Sequence, residues 1–376
     1  MCHLRSISEH NEENIHLILD KRESNTTIDF FFEIYDRDYY QIDIPLDFDE
    51  HSIAEYDKDN YDIFFLLKKD VKENDVVKLI ASDTNKSIGY LLPVISLESN
   101  DHDYAADKYF LRYAYIGIQE ALCRCKKNSL ETKLDLNKYT FKLTDIFDDE
   151  LVICIIYKPH FNLTDFSKIS PILFKHGYIR FDSKTSKQII YKPSTDDEFN
   201  NKITLCQINN SIIEAPLIDK ILHEQFPIER NIAFKFFILY QIIELLIERV
   251  YQHQQNIIIS NLVANVGNLS KSKDIIGSFQ EISSEKRRLK LLFSKYINNF
   301  ENKTTLTASC YALVRDAIDQ SIDEGKDIVE YFYPIRNFIV HNYRNFPENK
   351  LRILDDIINE FINALPSILK NYDETS

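Results

Sequence analysis

Arg336 and His341 stand five residues apart near the end of the chain, in the run YFYPIRNFIVHNYRNF. Histidine is the side chain whose ordinary pKa suits proton transfer near neutrality. Arginine stays protonated and presents a planar fork that matches phosphate oxygens. The pair therefore holds the parts needed to cut RNA without a metal. RNA carries its own nucleophile, the 2′-hydroxyl. Cleavage there needs a base for that proton, an acid for the departing 5′-oxygen and positive charge on the phosphorane.

Spacing alone proves little. With 14 arginines and 10 histidines in the chain, chance supplies about one R-x4–6-H match. Arg5 and His10 make such a match inside the polar stretch MCHLRSISEHNEEN. No apolar stripe surrounds that pair, and it reads as coincidence. The pair at Arg336 and His341 instead lies in a mostly apolar helical stretch. Asn337 would hydrogen-bond a phosphate or orient His341, or else is an ordinary polar helix residue. Tyr343 is a functional group or a packed aromatic. Glu244, between Tyr240, Ile247 and Tyr251, reaches the site or lies at its rim. Lys286, Arg287, Arg288 and Lys290 form the clearest basic cluster, either a phosphate-binding patch or a solvated helix face.

Other polar groupings read as surface: Asp101, His102 and Asp103 as a solvated turn, His223 and Glu224 as helix surface. No metal cluster is legible. Cys123 and Cys125 are separated by one residue, and no second pair follows. Glycine is scarce, 6 residues where average usage gives roughly 26. No G-x-G-x-x-G or G-x-x-x-x-G-K-[ST] is present, so nucleotide folds built on those loops are excluded.

The motif in its setting resembles the HEPN superfamily of helical ribonucleases and toxins. The signature there is R-x4–6-H, commonly with a polar residue such as Asn after the arginine. A toxin branch extends it to R-x4-H-x-Y, which Arg336, His341 and Tyr343 match. The run FFILYQIIELLIERVY, Phe236 to Tyr251, is similar to an early helix of several HEPN groups. The resemblance covers roughly residues 226 to 370. VVKLIAS, KYFLRYAYIGIQEAL and KYTFKLTDIF are similar to the β-rich domain of ApeA-type HEPN antiphage defence proteins, although Trp is absent here.

The resemblance implies a metal-independent endoribonuclease with no cofactor, acting on RNA in antiphage defence (abortive infection) or as a toxin. It also implies a homodimer or higher even oligomer through the HEPN domain, two motifs building one composite cleft. A phage-derived trigger or an antitoxin is the further partner expected. The competing expectation is a non-catalytic HEPN dimerisation or RNA-binding module with a β-rich sensor.

The elements that must position these residues are legible from periodicity. From about 15 to 205 the runs are short, aromatic and β-branched, among them DFFFEIYDRDYYQIDI, YDIFFLLKK, KYFLRYAYIGI and LVICIIYKP, with polar clusters between them. They predict strands of an antiparallel sandwich or barrel-like domain. After about 225 the period is helical. Ile232, Phe236, Leu239, Ile243, Leu246 and Val250 form one buried face. Further helices are expected at Ser283 to Phe300, Thr305 to Ile322, Ile328 to Tyr343 and along the last stretch from Leu351 to Ile368.

The expected fold is α+β: a β-rich antiparallel domain at 1–205, a linker at 206–225 and an all-α HEPN bundle at 226–376. A straight helix sets residues five apart about 140° apart around its axis. Pro334 is expected to start or kink the helix and leave Arg336 in its first turn. The net charge of −14 excludes a generally basic nucleic-acid coat. The scattered cysteines read as reduced thiols of a cytoplasmic protein. The polar N-terminus is no signal peptide, and no run reaches the ~18 apolar residues of a membrane span.

Overall fold

Aromatic and β-branched residues in alternation favour pleated strands, and they pair here into two sheets. The computed structural model describes residues 5–6, 15–21, 28–33, 39–48, 58–181, 188–193, 201–297 and 299–374. The chain divides into two compact units. The first comprises Met1–Thr164, Tyr178–Ser186 and Asp196–Leu205; the second comprises Asp165–Gly177, Lys187–Thr195 and Cys206–Ser376.

In the first unit, strands β1 (Arg5–Ser6), β2 (His16–Lys21), β3 (Ile28–Glu33), β4 (Tyr39–Ile42) and β8 (Thr140–Phe141) form one sheet in that order. Strands β10 (Ile179–Arg180), β5 (Tyr61–Leu67), β9 (Leu151–Tyr157), β7 (Ser87–Pro93), β6 (Val77–Ala81) and β11 (Lys202–Leu205) form the other. Every pairing is antiparallel except β4 with β8 and β6 with β11. Phe30 and Phe32 alternate inward on β3, whereas β9 is buried almost throughout and reads as an unbroken apolar run. Gly89 lets β7 meet β9 closely, since a Cβ there would lie 1.9 Å from the Ile155 carbonyl oxygen.

KYFLRYAYIGI is not a strand. It belongs to helix α1 (Lys108–Cys123), whose N-cap Asp107 accepts hydrogen bonds from the Tyr109 and Phe110 amides. Tyr115 of α1 packs against Phe30 and Phe48, with ring centroids 6.0 and 5.8 Å away. A Cβ on Gly117 would meet Ile153 and Ile155 of β9. From Ala114 to Leu122 the helix is buried, between β3 and β9, and that stretch has no polar face to betray its period. Two short helices, α2 (Lys127–Lys133) and α3 (Leu143–Ile146), follow it.

The second unit draws in helix α4 (Ser170–Lys175), from within the stretch expected to be wholly β-rich. Phe174 of α4 stacks on Tyr191 at 4.6 Å and meets Phe226 edge-on at 5.5 Å. Residues 206–225 are packed into this unit and are not a free linker. They include α5 (Ala215–Lys220), and Ile212, Ile218 and Leu222 are buried.

Six longer elements follow: α6 (Ile232–Ala264), α7 (Leu269–Ser283), α8 (Glu285–Leu291), α9 (Lys303–Ala317), α10 (Val329–Asn342) and α11 (Leu351–Asn371). Leu354, Ile358, Phe361, Leu365 and Ile368 of α11 are buried. Phe332 joins three helices, its ring 5.5 Å from Phe236, 5.6 Å from Tyr240 and 5.7 Å from Phe361. Helix α7 has no counterpart in the expected set. It buries only Ile282, so it shows no apolar stripe. A β-rich antiparallel-dominant part followed by a helical part makes the fold α+β.

Candidate active site

Helix α6 begins at Asn231, whose side-chain oxygen accepts from the Ala233 and Phe234 amides. From that fixed end, steps of four carry Tyr240, Glu244 and Glu248 along one side. Glu285 opens α8, where a carboxylate suits the helix N-terminus. Helix α10 supplies Glu330, Arg336, Asn337 and His341.

Arg336 is the centre of this arrangement and is 18% exposed. Its Nη2 donates to Glu244 Oε1 at 3.1 Å and its Nη1 to Asn337 Oδ1 at 3.2 Å. Its Nε faces Glu285 Oε1 at 3.5 Å, an ion-pair contact without hydrogen-bond geometry. The guanidinium also lies over the Tyr240 ring, 5.6 Å from its centroid. The Tyr240 hydroxyl donates to the same Glu285 oxygen at 3.0 Å. Burial disfavours the arginine's charge, but the Glu244 hydrogen bond and the Glu285 and Glu244 charges outweigh it and raise its pKa. Burial, followed by the Glu285 charge, raises the Tyr240 phenol well above its ordinary value.

His341 stands in contrast. It is exposed, and among the described residues its ring has no hydrogen-bond or ion-pair partner. Helix α10 starts at Val329, so Pro334 lies inside it and Arg336 is past its first turn. Pro334 therefore does not start the helix, and Arg336 and His341 point about 140° apart around one axis. The sequence-identified pair shares helix α10, and regular helical geometry turns the two side chains apart.

Tyr343 follows α10 and accepts a hydrogen bond from Asn231 Nδ2 at 3.0 Å, which ties the end of α10 to the start of α6. Beside it, Ala233, Phe234, Phe237, Ile339, Val340 and Tyr343 line an apolar groove of about 330 Å³. Phe234 is 55% exposed and Val340 41%, so the surface next to His341 is unusually apolar.

The basic cluster is neutralised. Lys286 and Lys290 both grip Glu330, each at 2.7 Å. Their hydrogen bonds hold the Glu330 carboxyl below its ordinary value. Arg288 lies 3.7 Å from Glu248 and over the Tyr251 ring, and Arg287 lies 3.1 Å from Glu281. This is not an open positive patch. Glu285 and Glu330 are the members sequence reasoning missed. Their one signal was their place in the first turns of α8 and α10.

Two other readings are corrected. His102 is 5% exposed, with Nε2 2.8 Å from the Ser96 carbonyl and Nδ1 accepting from the Tyr104 amide, so it holds a turn from inside. His223 is 3% exposed, packed between Phe166 and Phe174, while Glu224 is on the surface. His10 and the side chain of Arg5 lie outside the described residues. Of the cysteines described, all are free, and Cys154 and Cys310 are buried. Among the described residues no helix is long and apolar enough to cross a membrane. No family model, curated protein or solved structure matches the chain.

Proposed function

We propose that the helical unit is a HEPN-type endoribonuclease that cleaves RNA through its own 2′-hydroxyl. The observation that carries this reading is the contrast on α10. A hydrogen-bonded guanidinium and an exposed histidine that has no partner among the described residues share one helix, in the order and spacing of the HEPN motif. His341 exchanges a proton with the 2′-oxygen or the 5′-oxygen. Arg336 meets the charge that grows on the non-bridging oxygens. The bond from phosphorus to the 5′-oxygen breaks as the 2′-oxygen bonds, leaving a 2′,3′-cyclic phosphate.

Since one helix turns the two side chains apart, the proposal includes a second copy. A symmetric pairing through the apolar groove beside His341 would set the histidine of one copy near the arginine of the other. The defence setting and any trigger rest on the family resemblance, and the cytoplasmic location rests on the scattered cysteines. The test is purified protein with total RNA, with and without EDTA. Cleavage that survives EDTA, yields cyclic-phosphate ends and vanishes in His341→Ala is expected.

One observation favours the alternative, a non-catalytic module. Arg336 is already held by two carboxylates, and each cation of the nearby basic cluster has an acidic partner. Intact RNA after incubation with the dimer would decide for that alternative.

A further inference from the structure

The first unit carries a second polar pocket. Tyrosines line it together with Lys78, Arg112 and His160, around about 360 Å³ at one end of the β10–β11 sheet, under α1. That volume is within the usual range for small-molecule sites. The register builds it: Tyr61 of β5 pairs with Tyr157 of β9, and Lys78 of β6 pairs with Tyr90 of β7. Helix α1 adds Tyr109, Arg112 and Tyr113, whose spacing of three and four places them on one face. The tyrosine rings form one contiguous wall. Tyr61 lies 5.9 Å from Tyr113 and 5.3 Å from Tyr157, and Tyr90 lies 5.0 Å from Tyr113.

The charges in this pocket differ from those of the helical unit. Lys78 and Arg112 are half-buried, and among the described residues neither side chain has a carboxylate or hydrogen-bond partner. Arg249, Arg288 and Arg336 of the helical unit, by contrast, each have a carboxylate partner. Two cations lining one aromatic pocket, with no carboxylate partner among the described residues, are placed to meet an anionic ligand. His160 is exposed and also lines the pocket, its Nδ1 3.4 Å from the Ser87 carbonyl. Among the described residues, Asp107 is turned to the Tyr109 and Phe110 amides at the start of α1, and one oxygen of Asp62 lies 3.5 Å from Lys158. An aromatic cage alone would suit a quaternary ammonium, but Lys78 and Arg112 repel a cation. Aromatic faces combined with unpaired cations select a flat ring that carries an anion.

We propose that this pocket binds a nucleoside phosphate, its base against the tyrosine wall and its phosphate on Lys78 and Arg112. Stacking on tyrosine is tolerant of base identity. The two cations make the phosphate the stronger determinant. The site is independent of Arg336 and His341, which belong to the other unit.

The test is isothermal titration of the full chain with the four nucleoside 5′-monophosphates. The matching nucleosides and ribose 5-phosphate serve as probes lacking one half of the ligand. A 5′-phosphorylated tetranucleotide tells a free nucleotide from one at an RNA terminus. At least one monophosphate or the tetranucleotide is expected to bind. Loss of phosphate or base should weaken binding by about tenfold or more, as should Arg112→Ala or Lys78→Ala. Melting curves establish that these variants are folded, and Arg112→Gln is a second variant that keeps the side chain's length. Arg336→Ala with His341→Ala should leave binding unchanged. No binding of any nucleotide at ~1 mM, a Kd range of about −4 kcal/mol, would overturn the proposal. So would binding that persists undiminished in folded Arg112→Ala and Lys78→Ala proteins, or that is lost with Arg336 and His341 instead.

Discussion

Arg336→Ala and His341→Ala should separate stability from chemistry, because the two side chains are held so differently. Removing the Arg336 guanidinium strips Glu244 and Glu285 of their shared cation and Tyr240 of its overlying charge. Glu244 is 38% exposed, so its ion pair is largely screened by solvent. It belongs in the surface range of about 0.2–1 kcal/mol, and the cation–π contact adds about 0.5–1 kcal/mol. The expected loss is therefore on the order of 1–2 kcal/mol, or roughly 2–8 °C in Tm for a unit of this size.

His341 is exposed and has no partner among the described residues, so its truncation should stay within about 0.5 kcal/mol of the parent. Activity should follow the opposite order of economy. Loss of the proton-transfer group removes about 10²–10⁴-fold in cleavage at nearly constant Tm. Loss of the arginine removes about 10²–10³-fold together with stability. Arg336→Lys should recover part of the stability and little of the activity, since an ammonium is not a fork. The assay is a fluorogenic RNA substrate read beside circular dichroism melts on the same preparations. A folded His341→Ala protein that cleaves at the parent rate refutes the catalytic assignment. An Arg336→Ala protein that melts with the parent refutes the ion-pair account.

Three further outcomes follow from other contacts. Glu330 is held below its ordinary value of 4.5 by Lys286 and Lys290, so its stabilisation is present above that value and is lost as pH falls through the lower folded value. Glu330→Gln should then melt below the parent at neutral pH, and the gap should close in acid; a gap constant with pH contradicts the clamp. Gly89→Ala would place a Cβ 1.9 Å from the Ile155 carbonyl oxygen. It should cost about 1–3 kcal/mol or more by forcing β7 off β9, measured by urea denaturation, and an unchanged midpoint contradicts that packing. Sedimentation at micromolar concentration should show a dimer or higher even oligomer that Val340→Glu, in the exposed groove, dissociates; a strict monomer removes the composite site.

How much of this was legible depended on whether burial left a pattern. The apolar stripe of α11 and the N-terminal face of α6 were readable because water covers their other sides. Helix α1 was not, since it is buried from Ala114 to Leu122 and β-branched and aromatic residues mimic a strand there. Helix α7 was lost for the opposite reason, having almost no buried face. At the site, the sequence supplied Arg336, Asn337, His341 and Glu244 as candidates, but it could not show that Glu285 and Glu330 come from distant positions to neutralise the cations. Charge pairing across helices has no period to read. The same blindness hid the pocket: the Tyr109–Arg112–Tyr113 face gains meaning only when β6 brings Lys78 opposite it.

Arg249 gives an internal comparison that sharpens the reading of Arg336. It too sits between two carboxylates, Nε donating to Glu374 at 2.7 Å and Nη1 to Glu214 at 3.3 Å, and it is 14% exposed. It even has a histidine one turn along its helix. That histidine, His253, is consumed: its Nδ1 lies 2.8 Å from the Tyr296 hydroxyl, and its ring packs edge-on against the same tyrosine. Both side chains of the Arg249–His253 pair are thus fully used in holding α6 to the rest of the unit. Ion pairing alone therefore cannot mark an arginine as functional, nor can a nearby histidine. What sets α10 apart is that Arg336 is anchored while His341 is not. A carboxylate as exposed as Glu244 can yield its place on a guanidinium to a phosphodiester, which offers two oxygens sharing one negative charge and gains charge only as the phosphorane forms. Fixed arginine, replaceable carboxylate and open histidine are the three features on which the proposed RNA cleavage rests, and the Arg249–His253 pair lacks the last of them.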